Sequence, residues 1–283
     1  MFIEPKDDLQ KCLDEAHEGE QIELAEGIYR AKSVISVKGL KIKGAGIDRT
    51  IIVNDDYSNK IHSDGRILNT FRSWTLAVFA DDISIEQISV VNDAGSPEIK
   101  GQEAALSVCG NNFNMKNCRL SSTQDTLFLG PLPADLIERY KDFLDPSLLA
   151  EGPFCQSFTS CLIEGSIDFV FGCGEASFEG CELRSVYDKR NCGFIAAPAH
   201  ALSQKSGFTF RNCSFTHDEN VGAGSIFLAR PWRDHGMCSF INCSYSDHIA
   251  PEGFDKWAGT DRDRTARFRE YPAVPGRVPW INK

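Results

Sequence analysis

The sequence predicts an all-β fold, a right-handed parallel β-helix in which each coil of chain stacks on the one before it. Three observations support this prediction. Short runs alternate apolar and polar residues, turns rich in Gly, Asn and Asp separate those runs, and a four-residue tag recurs along the chain. The tag is a small or polar residue, Cys, any residue and an apolar residue, at 117–120, 160–163, 180–183, 212–215 and 242–245.

The spacing of these tags is typical of a solenoid with loop insertions, because successive tags begin 20 to 43 residues apart. A single coil cannot bury its apolar face alone and must stack on its neighbours. The cysteines then act as small hydrophobic residues in a ladder of stacked thiols. A metal-binding cysteine cluster is the alternative, but each coil supplies one cysteine and no pair has C-x-x-C spacing.

The first predicted element is a short amphipathic helix over residues 7–18. Apolar side chains recur at helical spacing between Leu9 and Ala16, acidic residues lie at the start, and Gly19 follows the end. We expect this helix to cap one end of the solenoid. Brief strands follow it, and 41–43, among others, alternates apolar and polar residues as a half-buried strand does.

Residues 131–153 predict a helical insertion, since they separate two coils by far more than a turn requires. Pro133 suits a first helical turn, and Pro146 ends the pattern. The apolar residues that share one face are Leu136, Ile137, Tyr140, Phe143 and Leu144. We expect a lid or wall at the cleft, with a loop packed away from the cleft as the alternative. The segment 251–283 is expected to run back along the side of the solenoid and cover an open edge.

Composition narrows the class of protein. The 283 residues are expected to form one domain, 1–283, and a monomer. The formal net charge is −10 with no run of Lys or Arg, so we expect neither nucleic acid nor a membrane as partner. No stretch reaches the roughly 18 apolar residues that a spanning helix needs.

The amino terminus and the cysteines predict a cytoplasmic protein. Residues 1–10 lack a basic region followed by an apolar one, so no secretory signal is visible, although a removed signal would mean secretion. The 11 cysteines are an odd number, which argues against a complete disulfide framework. Free thiols fit a reducing compartment.

Four strings bring together amide donors, two carboxylates and one guanidinium. They lie at 102–106, 124–127, 165–172 and 228–232. Ester hydrolysis requires a nucleophile, a proton donor for the leaving alkoxide and hydrogen-bond donors for the oxyanion. The chain has neither the G-x-S-x-G string of a serine esterase nor the H-E-x-x-H string of a zinc hydrolase.

Two aspartates can share the work if their surroundings separate their pKa values. Asp168 stands within an apolar run, where a carboxylate needs a partner, and Arg230 is the natural candidate. Structural roles remain open: Asp168 as a paired structural carboxylate, or Gln102 and Gln124 as a ladder inside the coil stack.

In order and wording the four strings resemble the pectin methylesterase (pectinesterase) family, and so do 69–78 and 277–280. The resemblance implies a parallel β-helix that removes methyl groups from methyl-esterified galacturonate, in pectin or in short oligogalacturonides. Nothing in these strings has metal-ligand spacing, so we expect no metal and no other cofactor. Asp168 matches the nucleophile, Arg230 the arginine that positions it, and Asp125 the general acid and base. Gln102 and Gln124 match the oxyanion donors.

The resemblance also places Trp232 and Phe171 at aromatic positions along a sugar-binding cleft, although core packing is an equal alternative for both. Two residues depart from the family pattern. Glu103 stands where a small residue is usual, and it either raises the pKa of a neighbouring acid or turns outward. Ala229 replaces a glycine.

Other functions stay open at this point. A β-helix can serve as a non-catalytic carbohydrate-binding or scaffold protein, because fold does not fix function. A β-helical lyase or glycosidase is a third possibility, and a calcium-dependent lyase would require a cluster of acidic ligands. The same catalytic groups could also hydrolyse another ester, such as a thioester.

Overall fold

A computed structural model describes residues 1–95, 97–152 and 154–282, and it confirms the parallel β-helix. The strands are short and pair in parallel with the strand one coil earlier and one coil later. The first sheet has ten strands, Phe2–Ile3, Gln21–Leu24, Lys41–Lys43, Ser84–Glu86, Phe113–Lys116, Cys155–Thr159, Glu175–Glu179, Phe208–Arg211, Met237–Ile241 and Arg267–Tyr271.

Two further sheets complete each coil. The second sheet has eight strands, Gly27–Arg30, Thr50–Asn54, Ser89–Asn92, Arg119–Ser121, Leu162–Gly165, Glu182–Ser185, Ser214–His217 and Ser244–Tyr245. The third sheet has seven, Ser33–Ile35, Leu76–Val78, Leu106–Val108, Leu127–Leu129, Ile167–Gly172, Gly193–Pro198 and Ile226–Ala229.

Helices are few and short. The α-helices are Leu9–Glu15, Pro97–Lys100 and Ala134–Tyr140, and the 3₁₀ helices are Thr70–Arg72, Pro146–Leu149 and Arg262–Arg264. Within the described part of the chain, none of the helices combines the length and hydrophobicity required to cross a bilayer.

The recurring tag marks a one-residue turn between the first and second sheets. Its first residue has a φ between 51° and 59° in all five tags, at Asn117, Ser160, Gly180, Asn212 and Asn242. Glycine and small polar residues tolerate this left-handed conformation best, which explains why they begin the tag. The chain can therefore change sheets without a loop.

Behind each turn the cysteine packs against the core, as the thiol ladder predicts, although Cys243 of the last tag is only partly buried. Cys118, Cys161, Cys181 and Cys213 are all buried. Each thiol lies near the backbone carbonyl two residues earlier, and Cys181 also lies 3.4 Å from the carbonyl oxygen of Phe158 in the preceding coil. Beside the ladder, the rings of Phe158, Phe178, Phe210 and Phe240 stack in register, with centroids 4.6–4.9 Å apart.

The amino-terminal helix caps the solenoid, as predicted, although it spans only Leu9–Glu15. Asp8 accepts a hydrogen bond from the Lys11 amide at 3.1 Å and so caps the helix. Gln10 donates to the Val34 carbonyl at 3.1 Å and accepts from the Val34 amide at 2.6 Å. One side chain thus pairs with the edge of the third sheet where the next strand would lie.

The prediction that 251–283 covers an open edge is confirmed, but the predicted direction, back along the side of the solenoid, was wrong; Lys283 lies outside the described residues. The segment stays at the carboxyl-terminal end. Arg267–Tyr271 adds the last strand of the first sheet, and Phe254 forms a parallel bridge with Ala229. The rings of Phe254, Phe268 and Trp280 pack together over the core. Apolar side chains at this end are better buried over the open core than along a side that the strands already cover.

The helical insertion is confirmed, with one difference. The helix ends at Tyr140, and a 3₁₀ helix follows at Pro146–Leu149; Pro153, the last residue of the predicted range, lies outside the described residues. The predicted apolar face packs against the outer surface of the third sheet rather than against the main core. There it joins a separate cluster that includes Phe71, Phe128 and Phe171.

Candidate active site

The third sheet carries the first candidate residue at an irregular point. The register between Ile167–Gly172 and Gly193–Pro198 shifts between Ile167 and Val170, and Asp168 has a φ of 50°. Phe169 and Val170 are consecutive, yet both point into the core. Such a bulge interrupts the strict alternation of a strand and redirects a side chain. Here the bulge places the Asp168 carboxylate on the outer face of the sheet.

Asp168 forms a two-pronged ion pair with Arg230. The Arg230 Nε donates to Asp168 Oδ1 at 2.8 Å, and Nη2 donates to Oδ2 at 2.6 Å. The guanidinium is held between two rings, 3.7 Å from the centroid of Phe194 and 4.0 Å from that of Trp257. The two rings fix the plane of the guanidinium, and the guanidinium fixes the carboxylate.

Asp125 lies in the same cavity, but among the described residues it forms no ion pair, and the charges of Arg230 and Arg190 only partly oppose the rise in its pKa. Burial raises the pKa of Asp125 well above its ordinary value, and the negative charge of Asp168 raises it further. Burial also raises the pKa of Asp168, but the hydrogen bonds and charge of Arg230 oppose that rise. Asp168 is therefore the first of the pair to ionise, and Asp125 keeps its proton to higher pH.

Both candidate glutamines have their carbonyl oxygens engaged. Ser58 Oγ donates to Gln102 Oε1 at 2.9 Å, and Arg190 Nη1 donates to Gln124 Oε1 at 2.9 Å. The planar amide of each side chain then presents its NH₂ group away from that contact. Each glutamine is therefore held with its donor hydrogens turned away from that contact, and the Gln124 amide also donates to the Asp125 carboxyl, which opposes the rise in the pKa of Asp125.

One cavity of about 470 Å³ brings these groups together. It is lined by all seven predicted site residues, Gln102, Gln124, Asp125, Asp168, Phe171, Arg230 and Trp232. Phe171 is only 3% exposed and packs on Phe128, whereas Trp232 is partly exposed. Phe171 thus packs in a hydrophobic cluster and also lines the cavity. Trp232 exposes more of its ring than Phe171 does. Among the described residues, no group of three or more His, Cys, Asp or Glu side chains could hold a metal ion.

Glu103 does not turn outward, so that alternative was wrong. Its side chain is fully buried. The Thr123 amide donates to Glu103 Oε1 at 3.2 Å, and the Thr123 hydroxyl donates to the same oxygen. No hydrogen-bond partner of Oε2 is found among the described residues. Burial raises the pKa of Glu103 to about 7. Ala229 is buried and pairs with Ala196, so its methyl group is accommodated.

We expect Glu103→Gln to stabilise the protein at alkaline pH. The folded state holds the Glu103 proton up to about pH 7, whereas the unfolded chain releases it near the ordinary value of 4.5. As pH rises through this window the unfolded state binds fewer protons, so the free energy of unfolding of the wild type falls. In urea unfolding at pH 8, the free energy of unfolding of Glu103→Gln should exceed that of the wild type by about 1–3 kcal/mol. At pH 4.5 this difference should disappear.

The exposed Glu219 offers a matched control for this measurement. Glu219→Gln should leave the pH dependence of unfolding unchanged. An equal effect of the two substitutions, or parallel pH profiles for Glu103→Gln and the wild type, would contradict the assignment.

Sequence reasoning missed several residues of the site. Trp257 and Phe194, which sandwich Arg230, lie in segments without a motif, and so does Arg190. Arg190 and Gln124 are 66 residues apart, and only the stacking of coils brings them together. The sequence offered one signal, which is that an arginine removed from water needs aromatic or acidic neighbours. This signal does not identify the aromatic residues that contact Arg230.

Fold and site together define a β-helical protein with a paired-carboxylate site on the outer face of its third sheet. The chain belongs to the pectinesterase family, whose model matches residues 5–131 and 147–278. The resemblance seen in the sequence is thereby confirmed. The match omits 132–146, which includes the insertion helix Ala134–Tyr140.

Relatives and solved structures agree with this assignment. Pectinesterase 31 of Arabidopsis thaliana is 30% identical over 92% of this chain and 76% of its own length. Pectinesterase QRT1 of the same plant is 28% identical over 90% of this chain, which spans only 63% of that relative. A pectin methylesterase in complex with a hexasaccharide is 25% identical, with a TM-score of 0.80 over 96% of this chain and 86% of that one. Pectin methylesterase from carrot, at 20% identity, covers 100% of this chain and 88% of its own with a TM-score of 0.83, which supports the fold alone.

Proposed function

We propose that the protein hydrolyses methyl esters of galacturonate units, releasing methanol and leaving free carboxylates. The observation that carries the proposal is the pair formed by Asp168 and Asp125 in one cavity. Arg230 holds the Asp168 carboxylate in a two-pronged ion pair, and no such pair is found for Asp125 in the described part of the chain. This asymmetry is what one ionised nucleophile and one neutral proton donor require.

In the first step the Asp168 carboxylate attacks the ester carbonyl carbon. Arg230 occupies one lone pair on each carboxylate oxygen, which leaves another lone pair free to attack. The side-chain amides of Gln102 and Gln124 donate to the oxyanion of the tetrahedral intermediate. Asp125 gives its proton to the methoxy oxygen, methanol leaves, and an acyl-enzyme anhydride on Asp168 remains.

In the second step Asp125, now a carboxylate, accepts a proton from water. The water attacks the acyl carbonyl, the bond to Asp168 breaks, and the product leaves as a carboxylic acid that then releases its proton to solvent. Asp125 ends the cycle protonated, as it began. The proton given to methanol and the proton taken from the attacking water both pass through Asp125, and the negative charge alternates between the two aspartates.

Metal-independent activity is the expected result of the simplest test. Because carboxylates, amides and a guanidinium can perform each step, methanol release from methylated oligogalacturonides should continue in excess EDTA within about twofold of the untreated rate. The protein is first passed through a chelating column, and the methanol that it releases is then measured by coupled oxidation. Loss of activity that a divalent cation restores would overturn this mechanism and favour a metal-assisted one.

The substrate class is proposed from the walls of the cavity. Trp232 and Tyr140 offer partly exposed flat faces, which complement the C–H faces of a sugar ring. A related pectin methylesterase binds a hexasaccharide. We extend this to a preference for short oligogalacturonides, because the insertion lies across one side of the cavity.

Three residues of the insertion helix line the cavity directly: Leu136, Arg139 and Tyr140. The helix is tied to the opposite wall by Asp135, which accepts two hydrogen bonds from Arg233 at 2.9 and 2.7 Å. Tyr140 also lies 6.1 Å, ring to ring, from Phe71 at the base of the cavity. A long polymer would have to displace this wall, whereas a short oligomer ends before it.

We expect replacement of 132–151 with a Gly-Ser bridge to raise the ratio of kcat/KM on polymeric pectin to kcat/KM on short oligomers by about tenfold. This change corresponds to about 1.4 kcal/mol in relative activation free energy. Tyr140→Ala should move the ratio in the same direction. Glu138→Gln is the matched control, because Glu138 pairs with Lys141 on the exposed side of the same helix. An unchanged ratio in a folded deletion variant would show that the insertion does not limit substrate length.

A further inference from the structure

The guanidinium of Arg190 contacts Gln124, one of the two proposed oxyanion donors. In the described part of the chain, Arg190 is not among the residues that line the cavity. Its Nη1 donates to Gln124 Oε1 at 2.9 Å. An arginine has only donors, so the atom of Gln124 that faces it must be the carbonyl oxygen. The amide NH₂ of Gln124 is consequently turned the other way.

The guanidinium is itself held in place. Arg190 Nε and Nη2 donate to the two carboxylate oxygens of Asp188, at 2.8 Å for Nε, and the Arg190 amide donates to the same carboxylate at 2.8 Å. Asp188 is buried and accepts a further hydrogen bond from Ser166 Oγ at 3.1 Å. Two nitrogens of the planar group are fixed by Asp188, and the third therefore points in one direction.

The same network is anchored to the loop that carries Gln124. The Ser166 amide donates to the Thr123 carbonyl at 2.6 Å, and Thr123 is the residue before Gln124. Ser166 belongs to the turn that leads into the bulge at Asp168. One chain of hydrogen bonds thus relates the Gln124 side chain to the backbone that presents the nucleophile.

We propose that Arg190 is a positioning residue that acts through Gln124, fixing the orientation in which the amide donates to the oxyanion. This inference rests on the proposed function. Arg190 also polarises the amide, because a cation at the carbonyl oxygen makes the NH₂ hydrogens better donors. The interaction is strongest when negative charge develops on the substrate oxygen, so its loss should appear in kcat rather than KM.

The test is a double-mutant cycle with Arg190→Met and Gln124→Ala. Gln124→Ala should lower kcat by about 100-fold, as removal of one oxyanion donor does. Arg190→Met should lower kcat by about tenfold with KM unchanged within twofold. In the double variant the arginine substitution should add less than about twofold to the loss, because the residue through which it acts is gone. Arg190→Lys should recover part of the activity, since an ammonium can donate to Gln124 but cannot hold Asp188 in the same way.

Lys189→Met is the matched control, because Lys189 is in the same loop and pairs with Glu98 at 2.9 Å. It should leave kcat unchanged. The Arg190 side chain is 36% exposed, and thermal unfolding checks that its variants remain folded. An unfolded Arg190→Met with an active Lys189→Met would show a structural role and contradict the inference.

The outcomes separate two failures. If Gln124→Ala keeps near wild-type turnover, the oxyanion assignment in the proposed function is wrong. If Gln124→Ala is severe but the Arg190 effect multiplies fully in the double variant, the oxyanion assignment stands and Arg190 acts by another route. A rise in KM with kcat unchanged would show that Arg190 binds the substrate directly.

Discussion

Asp168→Asn is expected to lower kcat for methyl-ester hydrolysis by about 10⁴-fold or more while the protein stays folded. The substitution keeps the shape of the side chain but removes the charge that attacks the carbonyl carbon in the proposed mechanism. An amide oxygen can still accept one hydrogen bond from Arg230, so the guanidinium keeps part of its contact and its place between Phe194 and Trp257. Turnover is measured as methanol release, and folding by circular dichroism and thermal unfolding.

Glu270→Gln provides the matched control. Glu270 is also a buried carboxylate with a two-pronged arginine partner, Arg277 at 2.9 and 3.1 Å, but it lies at the carboxyl-terminal end and not in the cavity. Its loss should cost stability without changing kcat. Arg230→Lys should resemble Asp168→Asn, because an ammonium cannot reproduce the planar fork. Near wild-type turnover by Asp168→Asn would show that another group is the nucleophile.

Asp125→Asn is expected to lower kcat by about 10³-fold and, unlike most site substitutions, to stabilise the fold as pH rises. In the proposed mechanism the activity falls because no proton donor remains for the methoxy group. The stability rises for a separate reason. The pKa of Asp125 is raised well above its ordinary value in the folded state, so ionisation is easier in the unfolded chain and weakens the wild type with increasing pH. An asparagine carries no such penalty.

Thermal unfolding from pH 5 to pH 9 measures the second effect. The difference in Tm between Asp125→Asn and the wild type should widen steadily with pH. The same account predicts a wild-type rate profile limited by ionisation of Asp168 on the acid side and of Asp125 on the alkaline side. Parallel Tm curves for the two proteins would contradict the burial of an uncompensated carboxyl group at Asp125.

Much of the fold was predictable because its signals are local. The left-handed turn at each of the five tags favours a glycine or a small polar residue, and the cysteine that follows occupies a fixed place in the coil, so those five coils carry their own mark. The insertion helix was predictable for the same reason. The path of 251–282 was not, because its strand Arg267–Tyr271 is specified by the exposed edge of Met237–Ile241 and not by its own sequence.

Some residues of the site could likewise be predicted from local sequence, and others could not. Asp125, Asp168 and Arg230 stand in short strings that could be read one by one, and the structure places them in one cavity. Arg190 and Trp257 reach the site from loops whose sequences carry no pattern. The direction of Glu103 was also beyond the sequence, because it depends on Thr123 in the next coil offering two donors to a buried carboxylate.

The central claim is that Asp168 attacks a methyl ester, and one parallel assay tests it most directly. Fully methyl-esterified hexagalacturonate is incubated in excess EDTA with the wild type and with Asp168→Asn, and methanol, free carboxylate and unsaturated sugar are measured together. The account predicts one methanol for each carboxylate formed by the wild type, no unsaturated sugar, and no methanol above background from Asp168→Asn. Unsaturated or shortened products from the wild type, or equal methanol release by Asp168→Asn, would contradict it.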